Sequence, residues 1–264
     1  MNRTEIYKNG FSWPLLFSTI PIIIISIPGI LTNIVLICVT IKNKALHGTT
    51  NFLLAQLAFY EIIHETGYFV VLYCNLIGLN SLTYSKASRL FSVPLFTVFG
   101  ISPLMAFTGI DRLLYKVNPT IYLGVYTFIC FIYCGLMTAG LIWFNNVNPD
   151  LVISALLSDG YVGTTLYYNI SFILNNTTIA LYIAVGIIVK MRKTSIQQKN
   201  RRLIRALIII VIFNVGGFYI VRIFKYFILS YKLSEMNSLF IRKAVCTLLY
   251  VSITANAPVL YFIR

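Results

Sequence analysis

Acidic residues are scarce in this sequence. Seven Asp and Glu stand against 21 Lys and Arg in 264 residues, and only 11% of positions carry charge. A soluble domain carries about 25% charged residues and about 45–50% apolar ones. Here 58% of residues are hydrophobic and mean hydropathy is +0.83. The shortage of charge excludes an ordinary water-soluble enzyme and a disordered chain. Histidine is rarer still, at two residues, and no Ser/His/Asp constellation is visible, so no catalytic chemistry and no cofactor are expected. Five cysteines are too few for a secreted disulfide scaffold of this length.

What is abundant is long apolar sequence. A spanning helix needs about 20 mostly apolar residues to cross about 30 Å of hydrocarbon. Residues 9–41, 90–110, 117–149, 160–189 and 244–263 carry no charge. Residues 52–79 are apolar except for Glu61, His64 and Glu65, and 206–229 except for Arg222 and Lys225. The expectation is an all-α integral membrane bundle of seven transmembrane helices in a single domain, 1–264. Its spans are placed at about 13–41, 52–79, 88–112, 121–144, 164–189, 206–229 and 240–263. No internal repeat or low-complexity segment interrupts them.

The net charge of +14 could point to nucleic acid. These cations lie between apolar runs, where anionic lipid and the positive-inside rule account for them. The expected partner is therefore the lipid bilayer, with no nucleic acid. Lys190, Arg192, Lys193, Lys199, Arg201, Arg202 and Arg205 cluster between spans five and six, on the side that also holds Lys42, Lys44, Arg112 and Lys116. That side reads as cytoplasmic, and the N-terminus, with a glycosylation sequon at Asn2, as extracellular. Arg3, Lys8, Lys86, Arg89, Lys232, Arg242 and Lys243 fall on the opposite side.

Span three ends in Asp111-Arg112, followed by Pro119 and Tyr122. Span one carries Gly29, Asn33 and Val35, span two Leu57-Ala58 with Glu61, and span seven Asn256, Pro258 and Tyr261. In this order the four motifs resemble rhodopsin-like G-protein-coupled receptors. The DRL…NP..Y segment and the NAPVLYF ending are most similar to nematode serpentine chemoreceptors of class sx.

The resemblance implies that Arg112 is a switch, neutralised by Asp111 at rest and reaching a heterotrimeric G protein on activation. The residues alone also allow a membrane anchor with a local counter-ion. By the same resemblance Pro119, Tyr122, Pro258 and Tyr261 belong to the coupling machinery. Glu61 lies near the bilayer midplane, where an ionisable side chain must face the bundle interior. Asn33 and Asn256 are its natural partners. The cluster is read either as a polar brace for the bundle or, as the resemblance implies, as a sodium or proton site. No transition-metal site is expected.

The chain departs from the superfamily at several points. Ala87 stands where span three usually bears a cysteine, so the common outer disulfide is not expected and the cysteines read as buried free thiols. Gly217 takes the place of the aromatic toggle in span six. Pro94 occupies the position where amine receptors carry an Asp, which disfavours amine ligands. Phe91, Leu95, Val98 and Phe99 suit a small apolar or amphipathic ligand. Phe218, Arg222 and Lys225 share one face of span six, where Arg222 either holds an acidic group or snorkels to headgroups.

The function implied is chemosensory signalling at the plasma membrane of a sensory cilium, an olfaction-like response to a small environmental or pheromonal molecule. Rival readings are a peptide or neurohormone receptor, and a small transporter or ligand-gated channel. A transporter would more often show internal repeats and broken helices at the midplane.

Overall fold

Backbone amides have no water to bond inside a bilayer, so each apolar run must close its hydrogen bonds within itself. The computed structural model obeys this. It describes residues 10–113, 119–147, 152–154, 165–191, 197–231, 233 and 235–263. The helices are α1 (Trp13–Lys42), α2 (Thr49–Leu76), α3 (Tyr84–Leu90), α4 (Ser92–Leu113), α5 (Pro119–Val147), α6 (Thr165–Met191), α7 (Gln197–Ser230), α8 (Glu235–Thr254) and α9 (Asn256–Ile263). Pairs α3–α4 and α8–α9 are each one interrupted span, which gives seven rods. The sequon at Asn2, the cations Arg3, Lys8, Lys116, Arg192, Lys193 and Lys232, and the backbone of residues 114–118 lie outside the described residues.

Among the described residues, six of the seven rods are long and apolar enough to cross a membrane. The exception is α2, whose Glu61, His64 and Glu65 dilute its hydropathy. It nonetheless runs through the bundle between α1 and α4. From α4, the most enclosed helix, contacts run to α2, α5 and α6, and α1 and α7 both flank α8. Large apolar side chains cover the outside, among them Ile24, Leu31 and Val35 on α1 and Phe128, Phe131 and Leu136 on α5. A surface this apolar is stable only against lipid. Trp13 and Trp143, both exposed, mark one end of the bundle as an aromatic belt. Lys42, Lys44 and Arg112 lie at the other, basic end.

Helix limits depart from the apolar runs where backbone chemistry intervenes. α2 stops at Leu76, three residues before the expected end at 79. Gly78 adopts φ 73°; its N–H bonds to Asn75 O at 3.2 Å and Leu79 N–H bonds to Cys74 O at 2.8 Å. This is a Schellman cap, which needs a left-handed residue. A Cβ on Gly78 would also lie 2.9 Å from the Gly10 backbone. Gly78→Ala is therefore expected to destabilise the chain by about 1–2 kcal/mol, read as a lower melting temperature in detergent.

Span three breaks at Phe91, where Pro94 has no N–H to bond back to Leu90, although Pro21, Pro28 and Pro103 lack the same bond inside unbroken helices. Span seven breaks at Ala255, where Pro258 leaves Thr254 O without its helical donor. α7 starts at Gln197, ahead of the expected 206, since its first turns are rich in Gln, Lys and Arg, all good helix formers.

A two-stranded sheet, absent from the sequence expectation, pairs β1 (Ser81–Thr83) antiparallel with β2 (Val152–Ser154), Leu82 opposite Ile153. It ties the α5–α6 connection to the α2–α3 connection by main-chain bonds. All five cysteines are free, four of them buried and Cys38 exposed.

Candidate functional site

Three levels of polar or aromatic structure run through the bundle. At the basic end, Asp111 on the last turn of α4 is buried. Thr49 Oγ1 donates to its Oδ1 at 2.6 Å, Thr50 Oγ1 donates to Oδ2, and the Tyr122 hydroxyl also donates to Oδ1. Thr49 and Thr50 are the first residues of α2, so the carboxylate also sits at the positive end of a helix. Tyr122, quoted in the same motif as Asp111, thus meets it through a direct hydrogen bond. The threonines were not singled out in the sequence, because nothing local links residue 49 to residue 111. Arg112 is half-buried beside Asp111. Pro119 opens α5, and its side chain falls outside the described ones. Pro258 is half-buried, whereas Tyr261 is 81% exposed on the bundle surface.

At mid-depth, Glu61 is 1% exposed. Asn33 Nδ2 donates to its Oε2 at 3.2 Å and Asn256 Nδ2 donates to Oε1. Asn214 on α7 extends the row, its Nδ2 donating to Asn256 Oδ1 at 2.6 Å. The row therefore stitches α1, α2, α9 and α7 together. A second carboxylate, Glu65, lies one turn along α2 and is fully buried. Its Oε1 accepts from Thr254 Oγ1 at 3.5 Å. Gly29 makes room for it: a Cβ there would come 2.5 Å from Glu65 Oε1 and 2.7 Å from Thr254 Oγ1.

Thr254 and Asn256 flank the break at Ala255, so the two carboxylates of α2 hold the two sides of that break. His64 turns away from them. Its Nε2 is 2.8 Å from the Tyr250 hydroxyl, and the two rings stack with centroids 5.4 Å apart. Asn33 Oδ1, Asn214 Oδ1 and Glu65 Oε2 are buried acceptors without a hydrogen-bond donor. Such hard oxygen donors suit sodium rather than a transition metal. Among the described residues no three His, Cys, Asp or Glu gather as a metal site.

Toward the aromatic end, Phe91, Leu95, Val98 and Phe99 are all buried in the main core cluster. Phe218 is half-buried. Arg222 lies at the α6–α7 seam with its guanidinium 4.3 Å from the Phe172 ring centre, a cation–π contact. The side chain of Lys225 falls outside the described ones. Lys243, one of the cations read as lying on the outer side, is 4% exposed, with Nζ 5.2 Å from the Tyr68 ring centre. The reason is register: α8 directs residue 243 to the side that also carries Cys246 and Tyr250, which packs against Tyr68.

No curated protein matches the chain. The family model of the serpentine type 7TM GPCR chemoreceptors, Srsx, matches residues 26–264. That match covers all seven rods except the first turns of α1, and with the membrane-adapted helical bundle it leads to one conclusion. The chain belongs to the Srsx family of serpentine seven-transmembrane chemoreceptors.

Proposed function

We propose that the chain is a G-protein-coupled chemosensory receptor for a small environmental or pheromonal molecule. Its basic end faces the cytoplasm, its N-terminus lies outside, and a sensory cilium is its place of work. The observation that carries the proposal is the Asp111 knot. A buried carboxylate next to Arg112 is tied by three hydroxyls to the start of α2 and to α5. Loosening those ties would let α4 move at the end where a heterotrimeric G protein docks, with Arg112 as the contact.

Signalling then works by population shift. A ligand that binds the open arrangement more tightly than the closed one draws the receptor toward it. The ligand level is the half of α4 around Leu95, Val98 and Phe99, next to Phe91, and on α7 the residues Phe218 and Arg222, Arg222 being the candidate partner of an acidic group. Binding there would have to compete with the contact between Arg222 and Phe172, worth about 0.5–2 kcal/mol. The Glu61 row reaches the α8–α9 break through Asn256. A sodium ion or a proton held at Glu61, Asn33 and Asn256 would favour one of the two states.

The test is a calcium response in cells co-expressing a promiscuous G-protein α subunit, with matched acidic and neutral odorants. Arg112→Ala should abolish the response at unchanged surface level. A response that persists both in the variant and under G-protein blockade would identify a channel and reject the proposal.

A further inference from the structure

Two thiols of α5 take no part in these networks. Cys130 and Cys134, four residues apart on one helix face, are both fully buried, and their Sγ atoms are 4.0 Å apart. They point at the seam between α2 and α4. Cys130 Sγ donates to the Gly100 carbonyl at 3.8 Å, and the Tyr60 hydroxyl lies against the Cys130 thiol. Gly100 creates the space: a Cβ there would strike the Tyr60 ring and approach Cys134 Sγ to 3.0 Å. Met137, three residues further along the same face, is half-buried against the same core.

We propose that Cys130 and Cys134 form a two-sulfur site for one soft monovalent cation, the cuprous ion being the natural candidate. Thiolate and thioether donors select such ions over hard or borderline ones. Zinc would need four ligands, and no third His, Cys, Asp or Glu joins the pair among the described residues. The distance also fits. At the zinc–thiolate bond length of about 2.3 Å a linear sulfur–metal–sulfur unit spans about 4.6 Å, so the sulfurs would part by about 0.6 Å from 4.0 Å. The ion takes the place of one thiol proton, which leaves as the ion enters, so one sulfur binds as thiolate and the other as neutral thiol and the buried site stays uncharged. No electron is transferred, and the metal stays monovalent. The bound ion would stiffen α5 against Gly100, the residue after Phe99, and so bear on the ligand level from behind.

The site is tested on the purified full chain in lipid nanodiscs, with cuprous ion set by a competing chelator. A Cys38→Ser background removes the exposed thiol. Wild-type cysteines at 130 and 134 should take up one more ion per chain than Cys130→Ala/Cys134→Ala, and each single variant should bind at least about tenfold more weakly. Copper uptake equal in the double variant and its parent would overturn the proposal. Copper-edge X-ray absorption on the parent guards against a packing defect in the variants. Two sulfur neighbours are expected, and a shell of nitrogen or oxygen alone would equally overturn it. Both readouts are independent of any odorant response.

Discussion

Asp111→Ala should lower the stability of the folded chain by about 2–4 kcal/mol, seen as an earlier thermal transition in detergent. A hydrogen bond to a charged group contributes about 1.5–3 kcal/mol, and Asp111 accepts from Thr49, Thr50 and Tyr122. The sum overstates the loss, because Thr49 is half-buried at the start of α2 and its hydroxyl can turn to water. Tyr122 is half-buried and can reach water. What is left is a loosened joint between α2, α4 and α5. Asp111→Asn keeps an acceptor and should cost less, and Tyr122→Phe, which deletes one donor, less again. Equal melting of Asp111→Ala and wild type would mean that the knot contributes nothing to holding the basic end together.

Gly29→Ala should be nearly as damaging, at about 1–3 kcal/mol for overpacking, with a matching fall in folded receptor at the cell surface. The added methyl would sit 2.5 and 2.9 Å from the two oxygens of Glu65 and 2.7 Å from Thr254 Oγ1. Glu65 is fully buried and has no aqueous direction in which to retreat. Either α1 moves off α2, or the carboxylate leaves Thr254 and the brace on the α8–α9 break opens. A double-mutant cycle separates the clash from a general helix effect. Shortening Glu65 to Ala in the Gly29→Ala background should recover part of the loss. Strict additivity of the two changes would show that the methyl and the carboxylate do not meet.

Much of the polar core could be read from the chain. Glu61 had to face inward because lipid does not tolerate it, and amides at Asn33 and Asn256 were at hand on neighbouring spans. Gly29 was visible as part of a motif, but its reason was not. Only the approach of Glu65 from α2 explains why residue 29 has no side chain. Asn214 lay inside the segment noted for its glycines and joins the row because α7 turns it toward Asn256. Thr49 and Thr50 looked like ordinary first-turn residues of α2, yet they hold the carboxylate of Asp111, 62 and 61 positions away. Tyr261, expected in the coupling machinery, is 81% exposed.

The sequence by itself determined the solvent, the helical class and the number of passes. Each follows from a local requirement: about 20 apolar residues per crossing, with every amide bonded inside its own helix. A proline removes one helical N–H, but Pro21, Pro28 and Pro103 sit inside unbroken helices, so packing decided that the spans break only near Pro94 and Pro258. Tertiary structure decided which polar groups meet, which cations are covered and where two thiols come to face a glycine. Those outcomes depend on how the helices are rotated and shifted against one another. Lys243 under the Tyr68 ring and Arg222 on Phe172 are set by that packing, in which a rotation of one residue, about 100°, exchanges a core position for a lipid-facing one.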